Sequence, residues 1–265
     1  ASSSWTLPSH ASLLTGLPQW QHGAESVSTV LSLSHQQLQQ TFAVRGYRTG
    51  AFVANNIFVI PERGFAPGFQ VFDAHYLRSL LARTTWGRFG KKTARHYLGF
   101  EVDPFRSAHT MIGAFENWRS AEGARPFFAL LNLMDAHEPY HPGSRPPDLR
   151  RWDLRDRRTA EDNASLLRDY DDSIAVIDRE LGRLMQRAID QGWWDDTIVV
   201  LLADHGESIS DGSFDHGDRL TLEPIHVPLV IRFPKRIPAK VRVLSPVSVT
   251  EVAATVDALA GVDAG

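Results

Sequence analysis

Thr6 opens the stretch Trp5 to Gly16, WTLPSHASLLTG, in which a hydroxyl, a proline and a histidine precede a small, apolar run. Pro8 has no N–H to lose and a preset φ, which suits the first turn of a helix. Such a helix start offers free N–H groups and the positive end of the macrodipole, so it can hold an anion, with Thr6 and His10 facing it. The plainer reading is a capped helix with Ser9 as the cap and His10 on the surface. Far along the chain Asp204 and His205 follow the apolar run DTIVVLLA, and Asp135 and His137 follow PFFALLNLM. Asp and His with further oxygen donors form a hard-to-borderline ligand set that suits Mn²⁺, Zn²⁺, Ca²⁺ or Fe without choosing among them. A cation beside Thr6 would lower the pKa of a hydroxyl that is a poor nucleophile at neutral pH. His137, His141 and His216 are then candidates to hydrogen-bond developing charge or to protonate a leaving oxygen. The competing chemistry is a Ser-His-Asp hydrolase. It lacks a G-x-S-x-G elbow, and the neighbourhoods of Ser208, Ser210 and Ser213 lack the strand–turn–helix context.

The elements that must position these residues are legible as alternating patterns. The spacing predicts a helix over Leu31 to Val44, a buried strand over Thr49 to Ala54 and a loop over Pro61 to Phe72, with a short edge strand at 69–73. Residues 77–123 read as helical and mixed, with basic clusters between Arg83 and Arg95 that form a solvated face. Pro126 to Met134 and Asp196 to Ala203 are continuous apolar runs of strand length, suited to strands buried on both faces of a parallel sheet. Residues 143–160 are an exposed excursion. Ala164 to Ile189 carries helical spacing and ends at Gly192. Val227 to Phe233 is a third strand and Val247 to Leu259 a last amphipathic helix. Strands alternating with helices imply an α/β fold, an αβα sandwich with a mostly parallel central sheet. In such sheets ligands bind at the carboxyl ends of strands, where both Asp and His pairs fall.

Composition narrows the classes. The 265 residues are 43% hydrophobic, enough for one sizeable domain. A net charge of −3 argues against a nucleic-acid partner. No run approaches the roughly 18 apolar residues of a membrane span. There is no cysteine, hence no disulfide and no thiolate, and the compartment stays open. Plain structural readings apply to Trp193-Trp194, as packing, and to His22, His35, His75, His96 and His109, as surface residues; His226 can be either. Glu207 can hold a metal-bound histidine in orientation.

Taken together the motifs resemble the sulfatase branch of the alkaline phosphatase superfamily. The family opens its nucleophile helix with C/S/T-x-P-S-R/H, a short apolar stretch and T-G, matched by Thr6 to Gly16. YDDSIAVID (170–178) looks like its long helix, DDTIVVLLADHGE (195–207) like its metal strand, DHG (215–217) like its D-H-G loop and HVPLVI (226–231) like the strand that follows. The resemblance covers nearly the whole chain as a single domain over 1–265. It implies Thr6 as nucleophile and metal ligand, Asp204 and His205 as metal ligands, and His137 near the substrate anion and leaving group. It also implies His216 in a loop that supplies another cationic or acid group, and His10 in place of the arginine that holds the nucleophile. Asn55 and Asn56 lie loosely where many sulfatases carry Lys and His.

Three departures shape what the resemblance implies. Sulfatases convert a Cys or Ser at the nucleophile position to formylglycine; Thr6 cannot give that aldehyde because its Cβ carries a methyl group, and position 10 is His instead of Arg. Threonine-type members of the superfamily act on phosphate esters. The family's opening strand, ending in Asp-x-x-x-x-Asp, is not in this sequence, nor is the usual continuation beyond Gly265; without that strand, apolar faces and edges would be exposed. The expectation is a metal-dependent hydrolase or transferase of sulfate or phosphate esters, working through a covalent intermediate on Thr6. Its substrate would be a small-molecule, lipid or glycan ester and its cofactor a divalent cation (Mn, Zn or Ca). The alternative is a non-catalytic domain that binds an anion or a protein partner. The sequence leaves the oligomeric state open.

Overall fold

The chain is described from a computed structural model, over residues 1–74, 106–121, 123, 125–143, 159–209 and 213–261. The basic clusters between Arg83 and Arg95, most of the 143–160 excursion, His75 and His96 lie outside the described residues.

Among the described residues five strands form two sheets: β1 (Arg48–Val53), β2 (Val71–Asp73), β3 (Phe127–Asn132), β4 (Val199–Leu202) and β5 (Leu229–Arg232). β1 is central to a parallel trio in the order β2-β1-β3, with Gly50 opposite Val71 and Arg48 to Val53 running opposite Phe127 to Asn132. β4 and β5 pair antiparallel, Val199 opposite Arg232. Side chains alternate across a strand, and here that alternation builds two apolar layers. Ala51 and Val53 meet Leu7, Ala11 and Leu14 of helix α1 (Thr6–Thr15). Phe52 faces the other way, into Met111 and Phe115 of the helix Ala108–Ser120, joined by Trp118, Phe127 and Trp193. The helices Leu38–Val44 and Glu251–Ala260 cover the α1 side with Phe42, Val252 and Val256. Helices therefore lie on both faces of the sheet, as the αβα reading expects. A side chain such as Phe52, 2% exposed, contributes about 2–3 kcal/mol by burial.

The longest helix, Ala160–Asp190, starts at a reciprocal cap: Thr159 accepts from the Asp162 amide, and the Asp162 carboxylate accepts from the Thr159 amide. Gly192, at φ 74°, follows its end.

Two expectations shift. The helix read over Leu31 to Val44 forms only from Leu38. The Leu31 amide donates to the Arg63 carbonyl, and Leu31 plugs the α1 layer while Leu33 is 69% exposed, so their spacing is not one helical face. The strands expected to be buried on both faces are half-buried in β3 and β4, with Leu201 47% exposed, whereas β1 is buried throughout. Among the described residues β3 pairs along one edge with β1, and β4 pairs along one edge with β5.

Candidate active site

Helix α1 aims its start at the carboxyl ends of the strands. Its N-cap, Trp5, is extended and supplies no side-chain bond to the first turn, so the first-turn amides face outward from the helix end. Ser9 is not the cap: its hydroxyl donates to the Asp204 carbonyl at 2.6 Å, tying the helix to the end of β4. His10, 4% exposed, is not a surface residue either. Its Nδ1 lies 3.1 Å from the Thr6 carbonyl and 3.3 Å from Asp204 Oδ2.

The end of β4 delivers Asp204 and His205. His205 Nε2 stands 3.2 Å from Thr6 Oγ1 and 3.6 Å from Asp204 Oδ2. Its Nδ1 bonds the Gly206 carbonyl at 2.9 Å. A carbonyl only accepts, so Nδ1 carries a hydrogen, and Nε2 is the ring nitrogen that faces Thr6 and Asp204. Gly206 is required by close approach: a Cβ there would sit 2.4 Å from the Glu223 carbonyl oxygen. Burial alone would push the Asp204 carboxyl up; the charge of His205, with the hydrogen bond and charge of His10, outweighs it and holds this acid well below the usual carboxylate range.

The loop after β4 folds back so that Ser208 bridges Asp215. Phe214, at φ 47°, is 2% exposed and packs with Tyr140 and Leu166. This anchor sets His216, whose ring lies 4.2 Å from the His205 ring and 5.0 Å from that of His137. Glu207 does not hold the proposed metal-binding His205. Both its carboxylate oxygens lie 3.2 Å from His216 Nδ1.

The end of β3 supplies His137, whose Nδ1 donates to the Glu138 carbonyl at 2.6 Å. Burial, then the charge of His216, push the His137 imidazole down to about 4. Asp135, the other half of this strand-end pair, goes elsewhere: it is 2% exposed, and its Oδ2 accepts from the Ala108 amide at 2.8 Å, holding the start of the helix Ala108–Ser120. The His141 amide donates to the Asp135 carbonyl. Asn55, expected near sulfatase Lys and His positions, builds its own loop, accepting from the Ile57 and Phe58 amides.

Thr6, His10, His137, Asp204, His205 and His216 thus form one continuous constellation. The residue that sequence reasoning missed is Asn132. Its Oδ1 accepts from the Asn55 amide at 2.9 Å, which turns Nδ2 toward His10 Nε2 at 3.4 Å. The signal was available, as Asn132 is the one polar residue in PFFALLNLM. Among the plain readings, Trp193 does pack, against Phe115 and Phe127, and Trp194 lies under Arg232. His22 is a correction: it is 2% exposed, with Nδ1 accepting from the Ala24 amide and Nε2 beside the Ser12 hydroxyl. His226 is exposed. No helix among the described residues is long and apolar enough to cross a membrane.

A parallel sheet flanked by helices, with side chains collected at its strand ends, defines an enzyme-like α/β class. The chain belongs to the sulfatase family, whose model matches residues 1–262. Among solved structures it is similar to the phosphonate monoester hydrolase of Agrobacterium radiobacter, with a TM-score of 0.74 and 22% identity over 98% of this chain and 65% of that one. It is also similar to BT4656 in complex with its substrate D-glucosamine-2-N,6-O-disulfate, at 0.70 and 16% over 100% of this chain and 69% of that one. A third similarity is to the lipoteichoic acid synthase LtaP from Listeria monocytogenes, at 0.62 and 17% over 98% and 60%. The chain spans about 65% of the length of the first of these. No curated protein matches significantly.

Proposed function

We propose that this chain is the catalytic domain of a metal-dependent ester hydrolase in which Thr6 is the nucleophile, with phosphorus esters ahead of sulfate esters as substrates. The observation that carries it is the approach of Thr6 Oγ1 to His205 Nε2, 3.2 Å apart at the start of helix α1.

The donor set fits a divalent cation. Bonds of about 2.0–2.2 Å to tetrahedral neighbours put ligand atoms roughly 3.3–3.6 Å apart, and the Thr6–His205 and His205–Asp204 separations are 3.2 and 3.6 Å. Among the described residues no three His, Asp or Glu side chains gather to hold an ion by themselves, so the hydroxyl of Thr6 is the third donor in this reading. A divalent cation held by Thr6, Asp204 and His205 would lower the pKa of the hydroxyl and offset charge on the ester's non-bridging oxygens.

The chain's own residues supply the rest. Thr6 Oγ1, its proton released to solvent, bonds the phosphorus or sulfur as the ester P–O or S–O bond breaks. His216 gives the leaving oxygen a proton, and water later cleaves the ester on Thr6. His137, neutral near pH 7, orients the group through hydrogen bonding. His10 holds Asp204 and the first turn of the helix. Phosphorus esters come first because Thr6 lacks the second hydroxyl of a hydrated aldehyde, which expels sulfate without a further attack at sulfur. Acceptance by an alcohol instead of water would make the same site a transferase. Family membership and the collected side chains favour catalysis over a domain that only binds.

The test is Thr6→Ala against the parent chain, with Mn²⁺ or Zn²⁺ added, on 4-nitrophenyl phosphate, phenylphosphonate and sulfate. Turnover should fall by at least about 1,000-fold, and the parent should show a mass increment on the peptide carrying Thr6. Undiminished rates in Thr6→Ala would end the proposal.

A further inference from the structure

We infer that Glu207 is a positioning residue for the reaction, acting through His216. The inference rests on the reading of His216 as the group that serves the leaving oxygen. Glu207 is buried, 6% exposed, two positions after His205. Its two carboxylate oxygens are equidistant from His216 Nδ1, at 3.2 Å each. A carboxylate only accepts, so the pair places the ring hydrogen on Nδ1 and makes Nε2 the ring nitrogen that serves the substrate. A forked contact also fixes the rotation of the ring, which a single acceptor leaves looser. Among the described residues the ring also neighbours the rings of His205 at 4.2 Å and His137 at 5.0 Å. The backbone gives independent support. Ser208 bridges Asp215, so the residues following Glu207 and preceding His216 are hydrogen-bonded to each other, and the two side chains have a fixed separation. Phe214 locks the same turn into the Tyr140 and Leu166 cluster. The motif D-H-G-E followed by D-H-G thereby couples its last residue to the histidine of the second triplet, nine positions on.

A double-mutant cycle on the full chain tests this. Glu207→Ala should lower kcat on 4-nitrophenyl esters by about 10–100-fold, as loss of an orienting partner does, with KM changed by less than about threefold. The loss should grow from nitrophenyl to unsubstituted phenyl leaving groups, because a poorer leaving oxygen depends more on the proton it receives. Glu207→Gln, which keeps one acceptor at the same volume, should recover most of the rate. In a His216→Ala background, Glu207→Ala should cost nothing further. Nitrogen-15 shifts of the His216 ring should report a protonated Nδ1 in the parent chain, whether or not Nε2 also carries a hydrogen, a readout that needs neither turnover nor a folded alanine variant.

Losses that multiply in the double variant, or a parent ring protonated on Nε2 with bare Nδ1, would overturn the assignment to Glu207 and leave the Thr6 reading intact. A His216→Ala chain with the parent kcat would remove both residues from the reaction. Full rates in Thr6→Ala would instead strike the reading on which the inference stands.

Discussion

Thr6 and His205 stand 199 positions apart in the chain and 3.2 Å apart in space, with Nε2 of the imidazole turned to the hydroxyl. Neither element makes this contact by itself. The start of helix α1 is held against the end of β4 by the Ser9 hydroxyl on the Asp204 carbonyl, and His10 adds a second tie to the Asp204 carboxylate. Substitutions around this joint carry the sharpest expectations.

Asp204→Ala should abolish stoichiometric Mn²⁺ or Zn²⁺ binding measured by titration calorimetry, weakening it by more than the roughly 10–100-fold that loss of an outer partner costs. The fold should survive, since the Ser9 bond uses the backbone carbonyl of residue 204. Chelation of the parent chain should remove turnover, and re-addition of the ion should restore it. Unchanged affinity in Asp204→Ala would detach this carboxylate from the ion.

Gly206→Ala places a methyl group 2.4 Å from the Glu223 carbonyl oxygen, a backbone atom that has little room to retreat. The strain costs about 1–3 kcal/mol and must be relieved by moving residues 204–206 or the short helix Leu222–Ile225. Displacing His205 by an ångström should lower kcat/KM on the order of 100-fold. Steady-state kinetics with a thermal melt checks both effects; a silent substitution would mean that the two segments part easily.

His137 gives a pH dependence of stability. In the folded chain its imidazole is pushed down to about 4, chiefly by burial and then by the charge of His216. In the unfolded chain it takes up a proton near pH 6.5. Between these values the unfolded state binds more protons, so stability is whole above about pH 6.5 and declines as pH falls toward 4. The contribution is on the order of 2 kcal/mol, discounted because the side chain is half-buried. Urea midpoints at pH 7.5 and 5 should differ more for the parent than for His137→Gln; equal differences would count against an imidazole held neutral in the folded chain.

Arg48 is a structural cation, 2% exposed, that bonds the Trp118 and Arg119 carbonyls at the end of the helix Ala108–Ser120 and lies 4.3 Å over the Trp118 ring. Arg48→Met leaves those carbonyls without this donor, at about 2–3 kcal/mol. The melting temperature should fall by roughly 5–10 °C, while kcat of the surviving folded fraction stays near the parent value.

Much of the site was legible because its residues sit in local grammar. Thr6 precedes a proline at a helix start, and Asp204-His205 terminate a strand-length apolar run, so their types and positions could be read without coordinates. Asp135 shows the limit: the same strand-end pattern there serves a helix start. Spacing also misled at Leu31 and Leu33, whose apparent helical period is broken by a tertiary hydrogen bond to Arg63. His22 read as a surface residue because nothing in its neighbourhood announces the Ser12 hydroxyl ten positions back.

By itself the sequence determined most of the strands and helices among the described residues, that they alternate, which helix start carries a hydroxyl and which strand ends carry carboxylates and imidazoles, since these follow from local periodicity and residue chemistry. Only the tertiary structure decided which of those groups meet. It gave Asp135 and Asn55 to the scaffold, turned Glu207 toward His216 instead of His205, and brought Asn132 to His10. A hydrogen bond reads distance and angle in space, and residues far apart in the chain are set at that distance only when the sheet and its flanking helices have packed.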